Sequence, residues 1–182
     1  MIKSVIKRKF LSFCVVFLTL SCFLCPPSVF AKSNYVLPYP SSMPGSMLYK
    51  ISLLKEQILK YWYYGNFGQF SYNLKQSDKY LVEAKTLFEY NQYLLAKKAL
   101  GKSDYFFQNI EKYLLNAKKE HESIADKAQM LKQAALKHIE VLENIEQNSP
   151  KVVNWIPEKD KTTIISIHEL IENSKKIRQK YL

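Results

Sequence analysis

The feature that most constrains the fold is a run from Ser103 to Gln147 in which the spacing of the core-type positions alternates between four and three. This spacing is typical of a helix that buries one stripe against partner helices. No glycine or proline interrupts the stripe, which comprises Phe106, Ile110, Tyr113, Ala117, His121, Ile124, Ala128, Leu131, Ala135, His138, Leu142 and Ile145. Because Gly101 precedes the run and Ser149 and Pro150 follow it, the pattern predicts one helix of roughly 44 residues, about 66 Å long.

Two predicted helices precede the long one. The first begins after Ser46, a residue type that suits a helix N-cap. We expect its apolar side to face the interior through Leu48, Ile51, Leu54, Ile58 and Trp62, and its outer side to carry Lys50, Lys55, Glu56 and Lys60. The second follows a turn at Gly65 to Gly68 and runs from about Gln69 to Leu100. The short link from Gly101 to Ser103 then predicts an antiparallel hairpin with the long helix.

The C-terminal stripe of the long helix extends beyond its hairpin partner and needs further cover. The segment from Pro150 to Pro157 is predicted to supply an apolar clamp through Val152, Val153, Trp155 and Ile156. A fourth helix is predicted to begin near Glu158 or Lys161 and to run back antiparallel. Its inner stripe is predicted to comprise Ile164, Ile167, Ile171, Ser174, Ile177 or Arg178, and Tyr181. Since no strand alternation is visible, the predicted fold class is all-α, an elongated antiparallel bundle of about four helices over residues 46–182.

Residues 1–31 have the pattern of an export signal. Basic residues without any acid precede an apolar run from Phe10 to Cys25, and Val29 and Ala31 fit a cleavage site. We predict cleavage after Ala31 and an exported protein, either secreted or envelope-associated. An uncleaved segment would instead anchor the chain in the membrane, because its apolar stretch of about 21 residues is long enough to span a bilayer. A lipid-modified Cys22 is a further alternative.

The charge of the chain favours anionic partners. The formal net charge is +11, and removing residues 1–31 leaves 23 basic residues against 16 acidic ones, a net charge of +7. An excess of this size suits anionic lipid head groups, wall polymers or weakly bound nucleic acid, and it is also common on a solvated helix surface. Because Cys14, Cys22 and Cys25 are the only cysteines, the cleaved chain would have no disulfide, thiolate metal site or cysteine nucleophile.

Residues 32–45 are predicted to form an extended strap. Pro38, Pro40 and Pro44 exclude a helix there and favour a polyproline-like conformation. Such a strap can pack on its own domain through its aromatic and aliphatic side chains, or it can serve as a ligand for a partner.

The strap and the segments that follow it also carry a family resemblance. The sequences Tyr35-Val36-Leu37-Pro38-Tyr39-Pro40, Leu48-Tyr49-Lys50 and Asp78 to Ala84 resemble the opening signature of an uncharacterised bacterial family. The family's domain of unknown function follows the signal peptide in exported helical proteins. Ser41 and Tyr80 depart from its pattern, which has glycine and a basic residue at these places. The resemblance extends to about residue 115 and implies export and a helical fold, but it implies no activity.

The histidines match no known metal motif. A di-iron bundle needs Glu three residues before His, and Lys118, Ala135 and Ile165 occupy those places here. A zincin helix needs His-Glu-x-x-His, and the segment from His168 to Glu172 ends in glutamate instead.

The remaining ionisable and nucleophilic residues also match no metal site or catalytic site. His121 and His138 would lie about 25 Å apart on one helix, too far to share a metal, and we expect partly buried, hydrogen-bonded histidines in the helix seam. Glu140, Glu143 and Glu146 are spaced three apart and predict a solvated ridge. Serines lack a Gly-x-Ser-x-Gly context. We therefore predict no enzyme activity, no metal and no cofactor.

Aromatic residues concentrate where the first predicted helix meets the second, at Tyr61, Trp62, Tyr63, Tyr64, Phe67, Phe70 and Tyr72. Beside lysines, such a cluster can be a stacking platform for bases or sugars, a belt at a membrane interface, or a packed corner between helices. Together with the strap, it gives a predicted partner-binding surface of Tyr39, Tyr61, Trp62, Tyr64, Phe67, Lys60, Lys75 and Lys79.

These observations predict a non-enzymatic structural or protein-interaction module with an unknown protein or envelope partner. The alternative is a binding module for anionic lipid head groups, wall polymer or nucleic acid, which replacement of Lys60, Lys75 and Lys79 by glutamate should inactivate. The heptad spacing also allows a homo-oligomeric coiled coil. A membrane-tethered state is expected only if residues 1–31 are retained.

Overall fold

The computed structural model describes residues 33–40, 42–156 and 163–182. The predicted signal segment and the predicted helix start at Glu158 or Lys161 lie outside these residues. Residues Lys32–Leu182 form one compact unit. Its described part contains five helices and one two-stranded sheet: α1 (Met47–Trp62), α2 (Gly65–Glu89), α3 (Tyr93–Lys119), α4 (Ala125–Asn148), β1 (Val152–Trp155), β2 (Thr163–Ser166) and α5 (Ile167–Gln179).

The predicted single helix from Ser103 to Gln147 is wrong, because the chain turns within it. His121 has a φ of 61°. The N–H groups of His121 and Glu122 donate to the carbonyls of Lys118 and Ala117 at 3.2 and 3.0 Å. This pair of bonds is the Schellman ending of a helix, in which one residue adopts the left-handed conformation. Among the helices in the described residues, α3 is therefore the longest, with 27 residues.

The second predicted helix is ended by the same device. Asn91 has a φ of 57°, and the N–H groups of Asn91 and Gln92 donate to the carbonyls of Phe88 and Leu87 at 3.0 and 2.8 Å. The hairpin turn therefore lies at Asn91 and not at the predicted link that begins at Gly101. Gly101 lies inside α3, where a Cβ would meet nothing within 4 Å.

The predicted antiparallel packing of helices is confirmed. α2 and α3 pair along their lengths, and at their centre the hydroxyl groups of Ser77 and Ser103 each donate to the carbonyl of the other residue at 2.9 Å. α4 packs on α2, and α5 packs on α4 and α3. Between them lie two apolar clusters. One surrounds Leu81, Leu100 and Leu142, and the other surrounds Phe70, Phe107 and Ile110.

A small sheet corrects the all-α prediction. β1 and β2 pair antiparallel, with Val153 opposite Ile165. Strands form here because β-branched residues make up half of β1 and three of the four residues of β2. Of the predicted apolar clamp, only Val153 packs against the first apolar cluster, where it is joined by buried Ile165 of β2. The prediction is wrong for Val152, Trp155 and Ile156, which are exposed. α5 begins at Ile167, and its buried residues Ile167, Ile171, Ser174 and Arg178 match the predicted stripe. Ile164, predicted to begin this stripe, lies instead on β2 and is exposed.

The proline-rich strap has neither helix nor strand from residue 33 to residue 40, and it contacts both α4 and α2. Ser33 Oγ donates to the carbonyl of Gln133 at 2.8 Å, and the hydroxyl of Tyr35 donates to Asp78 Oδ2 at 2.7 Å. Leu37 packs against the first apolar cluster. The strap thus packs on its own unit, as one of the two sequence interpretations expects.

Candidate interaction surface

Helix α1 is turned the opposite way from the sequence prediction. Ser46 caps it as expected, because its hydroxyl accepts a hydrogen bond from the N–H of Tyr49 at 3.1 Å. None of its residues is buried. The side predicted to face the interior lies in solvent, and we call it the outer stripe: Met47, Leu48, Ile51, Leu54, Ile58, Tyr61 and Trp62, each at least 60% exposed.

The opposite side of α1 is attached to α2 through polar groups. Glu56 accepts hydrogen bonds from the ammonium of Lys79 and, at 2.8 Å, from the hydroxyl of Tyr80. Two turns earlier on α1, the hydroxyl of Tyr49 donates to Glu83 Oε1 at 3.0 Å. These bonds fix the rotation of α1 about its own axis, because each requires a side chain from its inner side.

Close backbone contact fixes the C-terminal end of α1. The amide of Gln69 donates to the carbonyls of Lys60 and Tyr63. A Cβ on Gly68 would lie 3.0 Å from the carbonyl carbon of Tyr63, so a glycine permits this approach. The turn predicted from Gly65 to Gly68 is correspondingly shorter, since α2 already begins at Gly65, which has a φ of 71°.

Burial changes the acidity of the attachment groups. It raises the pKa of the Glu83 carboxyl, and the hydrogen bond from Tyr49 partly offsets this rise. Burial also raises the pKa of the Tyr80 hydroxyl, with a further contribution from the hydrogen bond to Glu56. The hydroxyl groups of Tyr49 and Tyr80 therefore both remain protonated hydrogen-bond donors at neutral pH.

The predicted surface residues fall into two groups. Tyr39, Tyr61, Trp62, Tyr64, Lys60 and Lys75 are exposed. Phe67 is half-buried near the ammonium of Lys127, and Lys79 is enclosed in its ion pair with Glu56. The structure thus brings Tyr61 and Trp62 onto the outer stripe and directs Lys79 inward.

Sequence reasoning missed most of the outer stripe because it assigned those residues to the core. It also gave no binding role to Lys50 and Lys55, which lie on opposite flanks of the stripe at about 100° of helix rotation per residue. One signal was present. Tyr49, Ser52 and Glu56 share a second face at helical spacing, and they can meet Lys79 and Glu83, which are one turn apart on α2.

A buried polar centre lies between α2, α3, α4 and α5. It is formed by Tyr35, Asp78, Ser103, Asp104, His138, Ser174 and Arg178. Arg178 is 0% exposed, and its guanidinium donates to Asp104 at 2.6 Å, to Ser103 Oγ at 2.9 Å and to His138 Nδ1 at 3.1 Å. The ring of Phe107 covers it at 5.1 Å. A buried guanidinium with this many acceptors is well compensated.

His138 in this centre is held as a neutral ring. Because Nδ1 accepts from Arg178, the proton is assigned to Nε2, which donates to Asp78 Oδ1 at 2.8 Å. Burial lowers the pKa of His138, while the hydrogen bond to Asp78 raises it, and the net direction is downward. A catalytic base needs one ring nitrogen free for a nucleophile, and here both are occupied.

One group of side chains has metal-ligand composition. Ligand atoms of Glu146, His168 and Glu172 lie within 4.8 Å of one another. The ammonium of Lys175 stands 2.6 Å from both carboxylates and lowers the pKa of Glu146. Since Lys175 already supplies the positive charge, the group fits an ion-pair network better than a metal centre.

Grooves lie beside the strap. One, of about 650 Å³, lies between α2 and α4 and is lined by Leu37, Pro38, Tyr39, Lys85, Glu140 and Asn144. Another, of about 410 Å³, lies under Tyr63 and is lined by Tyr35, Leu37, Leu74, Lys75, Asp78 and Met130. Both are open to solvent, so we place no ligand in them.

Comparison of the chain with protein-family models, with curated proteins and with solved structures finds no match. The family resemblance of the strap therefore stays a prediction. Among the described residues, no helix combines the length and the apolar character that crossing a bilayer requires. The proposed function therefore rests on the geometry of α1 and its surroundings.

Proposed function

We propose that the chain is a non-enzymatic helical interaction module, exported to the outside of the cell or to its envelope, that binds its partner through the outer stripe of α1. The observation that carries this proposal is the orientation of α1, which directs seven apolar residues into solvent. Continuous apolar patches on folded proteins typically mark binding surfaces.

The attachment of α1 supports this orientation. If the helix rotated by half a turn, the outer stripe would be buried, but Glu56 and Tyr49 would leave Lys79 and Glu83 without their partners. Unpaired charges at such sites cost about 1–3 kcal/mol each, or more. The exposed stripe, by contrast, gains about 1.5–3 kcal/mol for each large side chain that a partner covers. The chain thus fixes its polar side and leaves its apolar side available.

The buried polar centre supports a non-enzymatic function. His138 and Asp78 are paired as in a catalytic dyad. Arg178, however, donates a hydrogen bond to Nδ1 of His138, the ring nitrogen that a catalytic base would offer to a nucleophile. The dyad links α2 to α4, and with Arg178 it belongs to a network that joins four helices.

A second candidate function, binding to an anionic surface, is favoured by the lysines around α1. The predicted set of Lys60, Lys75 and Lys79 cannot bind an anionic surface as a whole, because Lys79 is paired internally with Glu56. Lys50 and Lys55 are exposed beside the outer stripe and take the place of Lys79.

Photo-crosslinking in the producing cells tests the interaction surface. A photoreactive residue replaces Leu54 on the outer stripe or, as a matched control, Leu115 on α3, which is also an exposed leucine. We expect an adduct of any chemical class at position 54 and much less at position 115. Equal labelling of the two positions, or none at position 54, would contradict the proposed function.

A further inference from the structure

We propose that the partner of the outer stripe is the surface of an anionic lipid bilayer, on which α1 lies parallel to the membrane plane. This inference rests on the proposed function, because it names the partner of the same surface. It does not require residues 1–31 to be retained.

The composition of α1 fits an interfacial helix. Such helices combine an apolar face that carries tryptophan, phenylalanine or leucine with a polar face rich in lysine, whose charge is attracted to anionic lipids. Lys50 and Lys55 flank the outer stripe on its two sides, whereas Lys60, although exposed, lies on the inner side of the helix at about 100° of rotation per residue. Glu56 is the one acidic residue of α1, and it points to α2, where Lys79 neutralises it. The solvent-facing charge of α1 is therefore positive throughout and complements anionic head groups.

The aromatic residues occupy one end of the same helix. Tyr61 and Trp62 end α1 and are both highly exposed, and Tyr64 follows them. Tyrosine and tryptophan favour the head-group region, where the ring is partly buried and its polar atom remains hydrated. With 16 residues, α1 is about 24 Å long and can lie in this layer with its stripe among the upper acyl carbons.

A second copy of the chain is the main rival occupant, because the stripe residues Met47, Ile51, Leu54, Ile58 and Tyr61 have heptad spacing. In a parallel coiled coil of two α1 helices, Lys50 of one copy would pair with Lys55 of the other. In an antiparallel pair centred on Leu54, Lys55 would face Lys55 of its partner. Both arrangements oppose like charges and offer no acid to relieve them. The charge pattern thus disfavours self-association and favours an anionic surface.

Tryptophan fluorescence of the full chain tests the inference directly. The chain has two tryptophans, so Trp155→Phe makes Trp62 the single reporter on the outer stripe. We expect its emission to shift to shorter wavelength with vesicles that contain 30% phosphatidylglycerol, and a quencher attached to the lipid acyl chains should reduce it. Pure phosphatidylcholine vesicles should have a much smaller effect. The reciprocal variant Trp62→Phe, which reports from Trp155, should show neither change.

A charge-reversal pair tests the electrostatic part. Lys50→Glu combined with Lys55→Glu should weaken partitioning into the anionic vesicles roughly tenfold or more, since each charge near the surface contributes substantially. The control pair Lys97→Glu and Lys98→Glu changes two exposed lysines of α3 and gives the same net charge. Its partitioning should stay within about twofold of the parent. An equal loss in both pairs would overturn a role for α1.

The two proposals fail differently. Lipid adducts at position 54, together with the Trp62 response, support both. Protein adducts at position 54 without a Trp62 response would overturn the lipid inference and keep the interaction surface. A concentration-dependent dimer that Leu54→Glu abolishes would also overturn the lipid inference, in favour of a second copy. No adduct at position 54 and no Trp62 response would overturn both.

Discussion

Helix α1 and the buried polar centre both depart from the usual pattern of apolar residues inside and polar residues outside. The centre buries polar groups, and α1 exposes apolar ones. In the centre, Arg178 and His138 are charged or polar and have no exposed surface. On α1, leucine, isoleucine and tryptophan are mostly exposed. The centre satisfies its own groups, since the side-chain nitrogens of Arg178 and His138 find partners on neighbouring elements or on the next turn of α5.

The two regions differ in whether contacts within the chain account for these unusual positions. Hydrogen bonds within the chain account for the position of Arg178, so no external ligand is needed to explain it. The bonds of Glu56 and Tyr49 account only for the inner side of α1. Nothing in the described part of the unit covers the outer stripe, so the free energy of its burial is available to a partner.

The largest expected effect comes from breaking the centre. Arg178→Met leaves Asp104 without its guanidinium and removes the donor to His138. We expect a loss of about 3–5 kcal/mol in the free energy of unfolding, measured by urea denaturation. Lys176→Met removes an exposed charge from the same helix and should change stability by less than about 0.5 kcal/mol. Similar losses in the two variants would show that the centre is not a special element of the fold.

A smaller effect is expected when the strap is released from the centre. Tyr35→Phe removes the hydroxyl that donates to buried Asp78 and should cost about 1.5–3 kcal/mol, the range of hydrogen bonds to charged groups. Tyr39→Phe changes an exposed tyrosine of the same strap and should cost less than about 0.5 kcal/mol. Denaturation of both variants measures the difference, and equal stabilities would contradict the assigned role of Tyr35.

Acidification weakens the centre through His138. Burial lowers its pKa in the folded chain in spite of Asp78, and Arg178 also disfavours a second positive charge beside it. The unfolded chain therefore binds more protons below about pH 6.5, and stability falls as pH falls, by at most about 1.4 kcal/mol per pH unit. Denaturation between pH 7 and pH 5 measures this slope, above the range where carboxylates usually titrate.

Two histidine variants assign the slope to its source. His138→Gln keeps a donor and an acceptor but cannot titrate, so the slope between pH 7 and pH 5 should become much smaller. His168→Gln removes an exposed histidine that is paired with Glu146, and it should change the slope less than His138→Gln does. If the slope persisted in His138→Gln, the titration would belong to another group.

The smallest expected effect concerns α1 itself. Leu54→Ala should change the stability of the isolated chain by less than about 0.5 kcal/mol, because the residue is exposed. Leu81→Ala, a fully buried leucine on α2, should cost about 2–5 kcal/mol. Thermal or urea denaturation compares the two. A loss above about 1.5 kcal/mol for Leu54→Ala would mean that the chain itself covers the outer stripe.

The sequence allowed several local features to be predicted. Ser46 caps α1, and Ile167, Ile171 and Ser174 line the inner side of α5. His138 is a buried, hydrogen-bonded seam histidine, as expected, whereas His121 is exposed at a helix end. These features depend on neighbours in sequence or on one helix face.

The helix boundaries could not be predicted because neither αL residue is glycine. Asn91 and His121 both adopt positive φ, and the 4–3 spacing continues through each turn as if the helix were unbroken. Asparagine is common at such positions, so Asn91 was the better signal, whereas Gly101 lies within α3. For α1, periodicity showed an amphipathic helix but not which side is covered. That choice depends on Lys79 and Glu83, which lie more than 20 residues further along the chain.

The position of Ser33 would set an order of events if residues 1–31 are an export leader that is removed. Ser33 is buried against Gln133, two residues after the predicted cleavage position at Ala31. Proteases cut segments that are accessible and free to move. If the leader is removed after Ala31, cleavage has to precede the docking of the strap on α4. The bond from Tyr35 to Asp78 would then form only in the processed chain, and completion of the buried polar centre would be a late event in maturation.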